Sequence, residues 1–267
     1  MFITSAAQAS DSGQLTRLDD GSTQYWLVSA DTCGATGGMV GLLEVPPTTE
    51  HTVLTGPVES ASLVVSGTVE LTDGAAAPVR LETGTVVQNE PVGRYTVRTA
   101  QEAAQLLTYY GGATRWSDAP YSADHAEPVP GAVARQFKFT DAEDNPFHLP
   151  EMGFLHMSAR WLIDASNGAS SSFTFGQSTF APNEGCHELH RHPNAEEVFY
   201  VWAGEGVHLT EGGGEIPMRE GDLVFVPRNE WHGFRNTGST PLRAVFGYLG
   251  ANSLETGGYE LPPPSTD

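Results

Sequence analysis

In residues 171–180, SSFTFGQSTF, apolar and polar positions alternate, with Phe173 and Phe175 on one face and Thr174 on the other. The same period of two runs through EEVFYVW at 196–202. It sets Glu197, Phe199 and Val201 on one face and Val198, Tyr200 and Trp202 on the other. Both faces are rather apolar, as in a strand covered on two sides. Many short Val, Thr, Phe and Tyr runs are separated by the 30 glycines and 18 prolines of the chain. No long stretch carries helical periodicity, so the pattern predicts an all-β protein of sandwich or jelly-roll barrel type.

The pattern also repeats. LVVSGTVELTDG at 63–74 resembles FYVWAGEGVHLTEGG at 199–213, each an alternating strand, a turn glycine and a second strand. With Gly67 set on Gly204, Gly84 and Gly221 each follow 17 residues later, Pro91 falls one residue from the position of Pro227, and LLTYYGGAT at 106–114 mirrors AVFGYLGAN at 244–252. A series of matches at a period of roughly 135 residues predicts two copies of one β-barrel. The expected division is a first barrel over 1–115, a linker over 116–135, a second barrel over 136–255 and a loose Pro-rich tail over 256–267.

The net charge of −20, with Lys138 the one lysine, argues against nucleic acid and anionic lipid as partners. Cys33 and Cys186 form no framework of spaced pairs and are expected as free thiols in a reducing compartment. The N-terminal MFITSAAQASDSG lacks a basic region and an apolar run of signal-peptide length, and no window approaches a membrane span. The expectation is a cytoplasmic protein.

Candidate chemistry concentrates in HELHRHPNAEEVFY at 187–200. On a strand His190 and His192 face one side and Arg191 the other, and a turn at Pro193–Glu196 returns Glu197 beside the two imidazoles. Downstream, GDLVFVPRNEWHGFRN carries His232. Three imidazoles and one carboxylate suit a divalent first-row metal, Fe, Mn, Ni, Cu or Zn. The alternative, a solvated polar hairpin, needs several independent coincidences of spacing. His187 lies three residues before His190, so alternation puts it on the opposite side, at an exposed rim, unless a bulge intervenes. Cys186 reads as a buried inert thiol, His208 as structural, Trp231 as a cover for the entrance and Asn236 as a structural hydrogen-bonder. Phe173, Phe175, Phe199, Phe225, Phe234, Phe246 and Tyr248 are barrel core by default, and those that face the metal would shape an apolar substrate pocket.

These spacings resemble the cupin superfamily. His190-Arg-His192, four residues, Glu197, six residues and Gly204 match its first motif, and Gly221, Pro227, His232 and Asn236 match the second, with Asn229 in place of a glycine. Asn tolerates the left-handed conformation, so that departure is mild, and Gly185 stands one residue too near His190. The resemblance implies a bicupin, two small jelly-roll barrels with His190, His192, Glu197 and His232 holding one metal in the second. In the first copy the ligand positions fall on Val53, Thr55, Ser60 and Thr96, which implies a barrel without metal, and His51 with Glu59 offers only a poor shifted site. The family implies a homodimer, with the N-terminal arm and exposed strand edges as contacts, and a small-molecule substrate. The chemistry it allows spans oxygenation of an enol or catechol-like compound with O₂ and Glu197 as base, non-oxidative isomerisation, elimination or cyclisation, hydrolysis like that of the bicupin ureidoglycine aminohydrolase, and metal-dependent binding without turnover. The apolar aromatic residues favour the dioxygenase.

Overall fold

The alternation in the sequence becomes strand register in the structure, a computed structural model that describes residues 1–54, 58–72, 77–89, 91, 94–115, 133–167 and 170–263. The chain is mostly β, in curled sheets that form two compact units, Ala6–Asp141 and Met1–Ser5 with Ala142–Asp267. No helix among the described residues is long and apolar enough to cross a membrane.

In the first unit Glu50–Leu54, Arg94–Thr99, Thr68–Thr72 and Val79–Glu82 form one sheet. A second sheet carries Ser60–Ser66 between Thr85–Asn89 and Ala104–Gly111. A core including Leu43, Val64, Val87, Tyr95 and Leu106 fills this unit. In the second unit Glu196–Ala203 lies between Leu223–Val226 and Leu242–Leu249, and Cys186–His190 and Glu205–Thr210 flank His232–Asn236. Its core gathers Phe180, Phe199, Val201, Val224, Val226, Phe234 and Phe246.

The repeat is visible in the backbone. Gly67 and Gly204 both take left-handed φ, +79° and +88°, and a Cβ at either would collide with backbone at the start of the last strand of its barrel, at Ala103–Ala104 and at Pro241–Leu242. Gly84 and Gly221 share φ +87° at the next equivalent turn.

Two segments fall elsewhere than the sequence suggests. Phe2–Thr4, expected with the first barrel, pairs antiparallel with Leu223–Val226 of the second unit, Ile3 opposite Val224. Conversely, Val133–Lys138 pairs with Thr85–Asn89 of the first unit, so residues 136–138 belong there. Thr85–Asn89 and Leu223–Val226 are equivalent strands, and each takes as its outer neighbour the segment that precedes the other copy. Leu223–Val226 would otherwise expose an unpaired edge, and pairing removes it. The N-terminal arm, expected as a dimer contact, is therefore engaged within the chain.

The tail also differs from its expectation. Ser253 and Thr256 form a capping box that starts the helical turn Leu254–Gly257, and the Gly258 N–H closes it on the Leu254 carbonyl. Glu260 then exchanges two backbone hydrogen bonds with Arg191, 3.0 and 3.1 Å, and its carboxylate accepts from Arg191 Nε at 2.7 Å. Residues 251–261 are a strap laid on the second barrel, not a loose end; 264–267 lie outside the described residues.

Candidate metal centre

His190, His192, Glu197 and His232 are all buried, and one potential ligand atom from each lies within 4.8 Å of every other. Their supports are local. His190 sits at the end of its strand opposite His232, and Glu197 begins the return strand opposite Val226 and Tyr248. The turn between Pro227 and Trp231 depends on Asn229 at φ +65°, whose N–H donates to the His192 carbonyl at 2.9 Å. Asn236 ties the same region together, donating to the Phe180, Ala181 and Thr240 carbonyls and accepting from Gly238 N–H. Arg191, on the outer side, lies over the Trp231 ring at 4.5 Å.

Each imidazole is anchored by Nδ1. His190 donates to the Glu188 carbonyl at 2.8 Å, His192 to the Gly258 carbonyl at 2.7 Å and His232 to the Glu230 carbonyl at 2.9 Å. This fixes the ring orientations and leaves the Nε2 lone pairs of His190 and His192 turned to the centre, while His232 Nε2 faces the Glu197 carboxylate. The Nε2 atoms of His190 and His192 are buried without a hydrogen-bond partner among the described residues, an expensive arrangement that a bound cation relieves. His232 Nε2 lies 2.6 Å and His192 Nε2 3.7 Å from Glu197 Oε2. Burial lowers the pKa values of His190 and His192, keeping them neutral, as metal ligation requires. Burial raises that of Glu197, but the hydrogen bond with His232 and the neighbouring imidazoles outweigh it and hold the carboxyl below its usual range. The donor set fits a divalent transition metal.

A cavity of about 140 Å³ opens on Glu197. Phe199, Phe234, Phe246 and Tyr248 line it, as do Phe154, Trp161 and Phe180. Phe173, Phe175 and Phe225 do not: Ser178 and Phe180 face the cavity, which puts Phe175 and Phe173 on the opposite phase of the chain, and Phe225 alternates with the core residues Val224 and Val226. Met157, Ala159 and Trp161, missed in the sequence, recur at every second position of Phe154–Ile163 and all line the cavity, a signal that alternation carried.

His187 is not at an exposed rim. Register slips between His187 and His190, where three steps on one strand meet two on the other, and this bulge turns both rings to one side. They stack at 3.7 Å, with Phe154 on the far face of His187 at 4.4 Å. Burial first, then neighbouring imidazoles, bring its pKa down to about 3 despite Glu197. Cys186 is buried and its thiol is pushed up to about 11, chiefly by burial, as fits an inert core residue.

His208 is fully buried, and neither ring nitrogen has a hydrogen-bond partner among the described residues. Burial, with His232 nearby, brings its pKa down to about 3. Below pH 6.5 the unfolded chain binds a proton here and the folded chain does not, so stability is fully present above that pH and falls as pH drops toward 3. His208→Leu is therefore expected to gain about 2 kcal/mol at pH 5 relative to its effect at pH 8, read from urea unfolding at both values. An equal effect at the two values would contradict this.

In the first unit Val53 and Ser60 are buried, Ser60 accepting from Asn89 Nδ2 at 3.2 Å, and Thr96 pairs with Thr72 and Thr52. Thr55 lies outside the described residues. His51 Nδ1 is committed to Asp20 at 2.6 Å.

Residues 176–248 match the Cupin domain family. An oxalate-binding protein of Thermotoga maritima is 39% identical over 54 residues, 20% of this chain and 44% of that protein. The tetracenomycin polyketide synthase protein TcmJ of Streptomyces glaucescens is 34% identical over 85 residues, 32% and 55% of the two lengths. A gentisate 1,2-dioxygenase of Ralstonia sp is 36% identical over 75 residues, 28% of this chain and 20% of the enzyme. The matched stretches thus span about half or less of these relatives. Among solved structures, the Lactobacillus farciminis oxalate decarboxylase formate complex superposes with TM-score 0.69 over 95% of this chain and 87% of that one, at 14% identity, a likeness of fold. The matched motifs and four converging side chains place residues 176–248 in the Cupin domain family, and the chain as a whole shares the fold of the decarboxylase.

Proposed function

We propose that the second barrel holds one divalent metal, Fe, Mn or Ni before Cu or Zn, on His190, His192, Glu197 and His232, and acts as a dioxygenase on a hydroxylated single-ring or enol substrate. The observation that carries this reading is the cavity. Its walls are mainly aromatic, no Lys or Arg lines it among the described residues, and its volume of about 140 Å³ is that of one ring. An engineered apolar cavity of roughly 150 Å³ takes up benzene. Oxalate, a small dianion, would find no side-chain cation here, so the likeness to oxalate decarboxylase does not carry over to substrate.

When bound, the metal would supply Lewis-acid activation of a substrate oxygen and, as Fe, a place for O₂ beside it. The protein does the rest. Phe199, Phe234 and Phe246 would hold the ring and exclude water, while the three imidazoles, locked by their carbonyl partners, keep the centre from rearranging. Glu197, deprotonated in its buried place and on the cavity wall, would take the proton from the substrate hydroxyl.

A non-oxidative isomerase, lyase, cyclase or hydrolase is the second reading, favoured by the likeness to a polyketide synthase protein. An oxygen electrode separates the two. Iron-loaded protein is expected to consume O₂ with catechol, gentisate or a related single-ring diol, and His192→Ala is expected not to. Turnover of the same compounds under argon would overturn the dioxygenase reading.

A further inference from the structure

We propose that His187, held by Tyr259 of the C-terminal strap, is the hydrogen-bond acceptor that orients the substrate hydroxyl in this cavity. The inference rests on the reading of the site as one for a hydroxylated ring, and adds to it a residue outside the metal centre.

The argument starts from one proton. Tyr259 Oη lies 2.6 Å from the Met152 carbonyl and 3.1 Å from His187 Nε2. The carbonyl only accepts, so the tyrosine hydroxyl donates its single proton there. Toward His187 the phenol oxygen then accepts, and the imidazole must carry its proton on Nε2. That leaves Nδ1 with a lone pair and no hydrogen-bond partner among the described residues. Stacking between Phe154 and His190 holds the ring plane, and a flip within that plane would put a carbon where Nε2 now meets Tyr259, so the hydrogen bond sets which way the ring faces. Tautomer and orientation are both set, and since His187 lines the mainly apolar wall, Nδ1 is its ring nitrogen left to accept from a ligand.

The other polar groups on that wall are less suited. Glu197 serves the hydroxyl it deprotonates, Tyr259 has spent its proton on Met152, the Ser178 hydroxyl oxygen is enclosed, and the Tyr248 phenol is a better donor than acceptor. A few placed polar groups fix a ligand's orientation in an apolar pocket. His187 selects a substrate that offers a hydroxyl proton and disfavours one with a methyl ether at the same position. His187 would touch the substrate; Tyr259 is a positioning residue that acts through it.

The test uses the full metal-loaded chain and three probes: 4-nitrocatechol, its monomethyl ether 2-methoxy-4-nitrophenol, and azide, which needs the metal alone. Wild type is expected to bind the catechol about tenfold or more tightly than the ether, the worth of one good hydrogen bond. Tyr259→Phe and His187→Phe are expected to bring the two aromatic probes to within about threefold of each other, with metal content and azide affinity unchanged. His187→Gln, whose amide oxygen accepts, is expected to restore part of the preference. If Tyr259→Phe and His187→Phe keep the wild-type preference, the orienting role is overturned and the reading of the site stands. If wild type binds azide but neither aromatic probe, the reading of the site fails and the inference with it.

Discussion

Replacing His192 with alanine is expected to lower metal affinity by at least about 100-fold, the upper end of what losing only an outer hydrogen bond to a ligand costs. Elemental analysis of protein purified without added metal should show the ion in wild type and its loss in the variant. By mass action the same change removes about 2.7 kcal/mol of metal-linked stability when metal is well above its dissociation constant. The melting temperature of wild type should therefore fall on adding a chelator, while that of His192→Ala should fall by less. Arg191→Ala is the matched control. It sits between two ligands but faces Glu260 and Trp231, and it should keep its metal. Equal metal in wild type and His192→Ala would mean the four side chains are not the binding site.

Phe234→Ala is expected to be the most damaging change on the cavity wall. Its ring is buried, stacks on Phe199 at 3.8 Å with an 8° interplanar angle, and meets His208 and His232 edge-on. Truncating a buried phenylalanine costs about 3–5 kcal/mol, because the transfer energy is lost and the surroundings collapse only partly. Here the void would join the existing cavity, so the loss should lie toward the lower end, near 3 kcal/mol. Denaturant unfolding of the metal-free form measures this without interference from binding. A loss under about 1 kcal/mol would show that the ring is not part of the packed wall. Phe225→Ala should cost stability through the opposite face of its strand and leave aromatic-ligand affinity unaltered.

The convergence of these side chains was legible because a strand with a period of two and a short hairpin leave little freedom: His190, His192 and Glu197 had to meet. His232 followed from the second motif, and Asn229 took the left-handed conformation its place required. The misplacements have equally local causes. One inserted residue between His187 and His190 reversed the face of His187, and no composition marks such a bulge. Phe173, Phe175 and Phe225 were as apolar as their neighbours, and where both faces of a strand are buried, alternation separates the faces without saying which is the cavity. Tyr259 and Glu260 lie in a stretch that reads as Pro-rich tail, and their role depends on partners over 60 residues away, Arg191 and His187. The exchange of Phe2–Thr4 and Val133–Lys138 was hidden because three to six residues of strand carry no record of which edge they join.

That exchange sets an order in time. Phe2–Thr4 leaves the ribosome well before its partners Leu223–Val226, which come more than 200 residues later. At about 5–20 residues per second the segment waits on the order of ten to forty seconds for them. The first barrel can close on Val133–Lys138 soon after its own last strand is made, whereas the second barrel must recruit a segment made long before its own strands. A ligand set assembled that way would meet its metal only after the first barrel's strands are all made.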